Sequence, residues 1–155
     1  MAARTKYGKC IKTTALMREI PYYTGKSIVA HNGELDADCS MGYHCISKPM
    51  SFDDPHSHDF PEMLCFIGGN PLDITDFGAE IEFTLGGEKH RINTTTVVTI
   101  PRGVEHCPIV FKKVTKPLIF LEVSLTRIWK PSGPPPPKKK AAAVKKTTKK
   151  TAKKA

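Results

Sequence analysis

Residues 56–69 read HSHDFPEMLCFIGG, a run in which a set of metal-binding side chains leads straight into a candidate strand. His56 and His58 are two positions apart, so on an extended backbone both imidazoles leave the same side. Asp59-Phe60-Pro61 has the composition of a turn and can return the Glu62 carboxylate beside them. Met63 to Ile67 is the longest unbroken apolar stretch in the chain, and it stops at Gly68-Gly69. A further histidine, His106, lies 44 residues beyond Glu62, just behind Pro101-Arg102-Gly103-Val104-Glu105. Three neutral imidazoles and one carboxylate form a mixed nitrogen and oxygen set of the kind that Fe, Mn, Ni, Cu or Zn prefers.

Outward from this run, several segments alternate in the period of a strand. Glu80 to Leu85 places Ile81, Phe83 and Leu85 on one face and Glu80, Glu82 and Thr84 on the other. Gly86-Gly87 follows as a turn, and His90-Arg91-Ile92 begins the returning strand of a hairpin. Thr95 to Ile100 is β-branched throughout and ends at Pro101. Pro117 to Leu125 is apolar on both faces at Ile119 to Leu121, the pattern of a buried central strand. Met41 to Ser47 is a weaker strand candidate, and Thr13 to Ile20 reads as one helical turn or two. Gly, Pro, Asn and Asp recur too often for long helices. Six or more short strands between turns predict an all-β domain, a barrel or a sandwich.

The two histidine segments resemble the paired motifs of the cupin superfamily. His56-x-His58-x-x-x-Glu62 with Gly69 matches the first motif, and Pro101-x-Gly103-x-x-His106 the second. Together they span about residues 40–125 of a domain that occupies residues 1–130. Met50 and Thr95 stand where the motifs usually open with Gly, and Val110 where the second often ends in Asn. An additional loop is expected around Asn70 to Phe77. The resemblance implies a double-stranded β-helix (a jelly-roll barrel) in which His56, His58, Glu62 and His106 bind a divalent metal. It also implies a homodimer and a small-molecule ligand or substrate. Four protein ligands close a tetrahedral Zn site, whereas in an octahedral Fe or Mn site they leave two adjacent positions open. Catalysis needs an open position, so an enzyme favours Fe, Mn or Ni, with Zn or Cu as alternatives. Oxygenase, isomerase, decarboxylase and lyase activities all occur in the superfamily, and so do noncatalytic binding and sensing modules. Fold alone does not choose among them.

With Glu62 facing inward, strand alternation sends Leu64 and Phe66 the same way as an apolar wall. By the same rule Pro108 and Val110 flank His106, while Glu105 points away. Tyr43, His44 and Arg102 are candidates for a catalytic acid, base or anion contact. His31 and His90 read as exposed. Cys10, Cys39, Cys45, Cys65 and Cys107 contain no CxxC spacing and are odd in number, so they read as reduced thiols rather than a metal pattern.

The 155 residues are 39% hydrophobic, enough for one globular domain with a core. The formal charge of +9 is localised, because residues 131–155 hold nine Lys and no acid while residues 1–130 balance fifteen bases against fifteen acids. Pro131 to Pro137 forms a stiff spacer before KKKAAAVKKTTKKTAKKA, a sequence too poor in apolar groups to order by itself. That tail, residues 138–155, reads either as a segment that binds nucleic acid through phosphate contacts without reading sequence or as a solvated extension. No apolar run is long enough for a membrane span, and Met1 to Cys10 lacks the pattern of a secretory signal, so a soluble cytoplasmic protein is expected.

Overall fold

Gly86 and Gly87 both take positive φ, 59° and 85°, as a tight two-residue hairpin turn requires. They join two of the ten strands found in a computed structural model that describes residues 5–130. The linker and basic tail expected over residues 131–155 lie outside the described residues. Strands β1 (Met17–Glu19), β2 (Lys26–Ala30), β3 (Ser40–Ile46), β4 (Met50–Phe52) and β5 (Glu62–Gly68) precede the loop expected around Asn70 to Phe77. After it come β6 (Ala79–Leu85), β7 (Glu88–Ile92), β8 (Thr96–Ile100), β9 (His106–Val114) and β10 (Leu118–Ser124).

The strands form two antiparallel sheets, β1-β2-β3-β10-β5-β8 and β4-β9-β6-β7, in the layered arrangement of a jelly roll. Their inner faces meet in an aromatic core of Phe66, Phe83, Phe111 and Phe120, closed by Ile46, Ile81, Ile100 and Leu118. Strict alternation along β3 and β5 buries every second residue, which is why the apolar period read from residues 62–68 locates the interior. Among the described residues no helix is long and apolar enough to cross a membrane.

Thr13 to Ile20 holds one helical turn, the 3-10 turn Thr14–Leu16, which passes into β1. Two expectations need correction. Strand β10 is central, as its composition predicts, but Ile119 and Leu121 on its outer face are only half-buried. His31 is half-buried rather than exposed and stacks on Trp129, with ring centroids 5.5 Å apart.

Candidate metal centre

The segment leading into β5 and the start of β9 build the site, and backbone hydrogen bonds close the gap between them. His56 N–H donates to His106 O at 3.1 Å, and His106 N–H returns a bond to His56 O at 2.9 Å. Gly103, at φ 76°, donates its N–H to His58 O at 2.8 Å. The two histidine segments are therefore direct neighbours, with their side chains brought to one end of the barrel. Ser124 of β10 pairs with Glu62, and its hydroxyl donates to Glu62 Oε1 at 2.8 Å.

All three imidazoles are oriented by backbone carbonyls. His56 Nδ1 lies 2.9 Å from Asp54 O, His58 Nδ1 2.6 Å from Phe60 O, and His106 Nδ1 3.2 Å from Val104 O. A carbonyl only accepts, so each Nδ1 carries a proton and each Nε2 is left for another partner. Histidines that bind metals are commonly held in this way. Phe60 stacks on His58 almost in parallel, with centroids 4.1 Å apart, and limits rotation of that ring.

His58 Nε2 and His106 Nε2 stand 3.2 and 3.4 Å from the same oxygen, Glu62 Oε2. Burial works to lower the His58 pKa, but the hydrogen bond and charge of Glu62 and the Phe60 carbonyl outweigh it and raise it. Burial works to raise the Glu62 pKa, yet hydrogen bonds from His106, His58 and Ser124 hold its carboxyl well below the usual range. A buried carboxylate facing two Nε2 atoms calls for positive charge between them, either protons on the rings or a cation. The donor set thus fits a divalent ion.

The four expected ligands do not converge equally. Ligand atoms of His58, Glu62 and His106 lie within 4.8 Å of one another, and His56 stands outside that triplet. His56 instead forms a second group, also within 4.8 Å, with His106 and Cys107. This placement of Cys107 beside two of the expected ligands is one that its spacing in the sequence does not mark. Its cause is a bulge: Leu85 pairs with His106 and Phe83 with Ile109, so Cys107 and Pro108 together oppose Thr84 alone. Cys107 takes φ 75° and is buried instead of turning outward. The extra residue also reverses the alternation, so that Ile109 and Phe111, not Pro108 and Val110, face the interior.

A cavity of about 130 Å³ opens beside these groups. Phe52, Leu64, Ile109, Phe120 and Trp129 line it with apolar surface, whereas Phe66 lies deeper in the core. Of the three acid–base candidates, His44 is buried on the inner face. Its Nδ1 lies 2.8 Å from Ser27 Oγ, its Nε2 lies 3.4 Å from Glu122 Oε1, and its ring stacks on Tyr23 at 3.8 Å. Burial, and then the Glu122 charge, push the Tyr23 pKa up. Tyr43 is on the opposite face of β3 and does not line the cavity, and Arg102 is exposed in the loop before β9.

Sequence reading missed Glu122, which lines the cavity two residues before Ser124. The available signal was an acidic residue inside the apolar run of β10. Gly42 makes room for this pair, since a Cβ there would stand 2.6 Å from His44 Nε2.

No protein-family model and no curated protein matches the chain. Solved structures do resemble it. KdgF from Halomonas sp. is 18% identical with a TM-score of 0.46, over 72% of this chain and 86% of that one. A predicted oxalate decarboxylase from Thermotoga maritima is 17% identical with a TM-score of 0.49, over 71% and 91%. The Cnp3 cupin domain of Schizosaccharomyces pombe is 15% identical with a TM-score of 0.47, over 65% and 64%. At these values the likeness says nothing about activity. Two antiparallel sheets beside a His/Glu cluster drawn from both histidine segments give this chain a jelly-roll fold of the kind the motif resemblance implies.

Proposed function

We infer that the protein binds a divalent metal ion and is an enzyme acting on a small, oxygen-rich metabolite such as an organic acid or a sugar derivative. The observation that carries this reading is the trio of imidazoles anchored on carbonyls through Nδ1, which leaves the Nε2 atoms of His58 and His106 beside a buried carboxylate. His58, Glu62 and His106 hold the ion, with His56 completing the set. When bound, the ion supplies Lewis acidity toward a carboxylate, carbonyl or hydroxyl of the ligand. Leu64, Ile109 and Phe120 exclude water from one side of the cavity of about 130 Å³. Glu122 lines the cavity as a proton acceptor outside the ligand set, and His44 Nε2 lies 3.4 Å from its carboxylate.

Elemental analysis of protein purified without a His tag tests the metal, and Fe, Mn or Ni is expected at one ion per chain. Protein that arrives empty and takes up no divalent ion would overturn the reading. Turnover in a substrate panel, with and without O₂, that disappears in His106→Ala supports the enzyme. Ligand-induced stabilisation without turnover supports a noncatalytic sensor. Two further expectations stand as proposals. The half-buried apolar residues Met41, Cys45, Met63, Ile67, Ile119 and Leu121 on one outer sheet face support a homodimer. The nine lysines within residues 138–155 support binding of nucleic acid, and deleting them is expected to remove salt-sensitive DNA affinity.

A further inference from the structure

Two donor groups meet at His106 and differ in chemical character. One, His58, Glu62 and His106, offers two nitrogens and an oxygen; the other, His56, His106 and Cys107, offers two nitrogens and a sulfur. Cys107 reaches this position through two independent features of the backbone. The bulge adds one residue to β9 opposite Thr84, and φ of 75° places Cys107 in a region that side chains other than glycine rarely occupy. Such a conformation persists only where the surrounding structure imposes it, often at functional sites. The thiol also lines the cavity beside both imidazoles.

We propose that Cys107 is a metal ligand of this centre, forming with His56 and His106 a sulfur-bearing side that selects borderline ions such as Fe²⁺, Ni²⁺, Co²⁺ or Zn²⁺ over Mg²⁺ or Ca²⁺. This rests on the metal-binding reading and adds a ligand and a selectivity to it. Thiolate suits these ions, whereas the hard cations take oxygen. Coordination replaces the S–H bond by a metal–sulfur bond and releases one proton to solvent, with no change of oxidation state. One thiolate and the Glu62 carboxylate together neutralise a divalent charge within the buried site.

The test is Co²⁺ titration of the full-length, untagged protein under reducing conditions, followed by X-ray absorption on the Co²⁺- and Zn²⁺-loaded forms. Visible d–d bands report uptake, and a near-ultraviolet sulfur-to-cobalt charge-transfer band reports the thiolate. The Zn²⁺ form is expected to show a sulfur scatterer at about 2.3 Å besides nitrogen or oxygen at about 2.0–2.1 Å. Cys107→Ser is expected to lose the charge-transfer band and to bind Zn²⁺ at least ~10-fold more weakly. Because Cys107 is buried, a second variant carries Cys10, Cys39, Cys45 and Cys65 all as Ser; it must keep both band and sulfur scatterer. Uptake with only nitrogen and oxygen scatterers overturns the role of Cys107 and leaves the His/Glu site standing. So does a sulfur signal lost in the fourfold variant. No uptake of either ion overturns both.

Discussion

Glu62 gathers more of the site's electrostatics than any other side chain described. It accepts from Ser124 on one oxygen and faces two imidazoles with the other, in a setting where an unpaired charge would be costly. Glu62→Gln keeps the volume and one carbonyl oxygen for Ser124 but removes the negative charge. Affinity for a divalent ion, measured by competition with a chromophoric chelator, is expected to fall at least ~10-fold. An unchanged affinity would remove this carboxylate from the donor set. Residue types and their spacing make this set legible in the sequence, because metal chemistry restricts donors to a few side chains. Its division into two groups sharing His106 is not legible there, since ring positions depend on carbonyls at Asp54, Phe60 and Val104 that no motif encodes.

Strand β9 shows where period-two reading breaks down. Alternation counted from His106 assigns Pro108 and Val110 to the interior, but one unpaired residue moves Ile109 and Phe111 there instead. Ile109→Ala is therefore expected to cost about 2–5 kcal/mol, as for other buried aliphatic truncations. Val110→Ala, on the half-buried face, should cost clearly less. Urea unfolding compares them, and equal costs would mean that the bulge does not set the phase of the strand. The outer face of the same sheet is charged: Glu82 accepts from Lys89 at 2.9 Å and from Lys112 at 2.6 Å. The Lys112 hydrogen bond, then that of Lys89, holds the Glu82 carboxyl down to about 2 from an ordinary 4.5, while burial opposes them. A carboxyl lowered in the folded state stabilises the fold above its ordinary pKa, and this stabilisation is lost as pH falls through the folded value. Lys112→Ala should thus melt below wild type at neutral pH, with the gap closing between about pH 4.5 and pH 2 and also in high salt. A melting difference that ignores pH would assign the effect to packing.

Across the whole molecule the two sheets differ on their outer faces as well as in strand number. Glu80, Glu82, Lys89, Arg91 and Lys112 cover the four-stranded sheet with ion pairs, whereas Ile119 and Leu121 lie at the centre of a half-buried apolar face on the six-stranded one. Contiguous apolar surface of this kind commonly marks an interface. Ile119→Glu is expected to leave the core intact, because this side chain points away from it, while converting a dimer to monomers by sedimentation velocity. A wild-type chain that sediments as a monomer at micromolar concentration would remove the homodimer proposal.

Local chemistry decided what could be read directly from the sequence: apolar alternation in residues 80–85, paired glycines at the hairpin turn, and histidines at motif spacing each act over a few residues. These determined the all-β class, the presence of an inward-facing donor set and the concentration of positive charge beyond residue 130. Tertiary structure decided which groups share the cavity. Strand pairing between positions far apart in the chain brings Ser124 to Glu62 and His106 to His56, and the bulge turns Cys107 inward. Those placements depend on register, and shifting a strand by one residue exchanges its two faces.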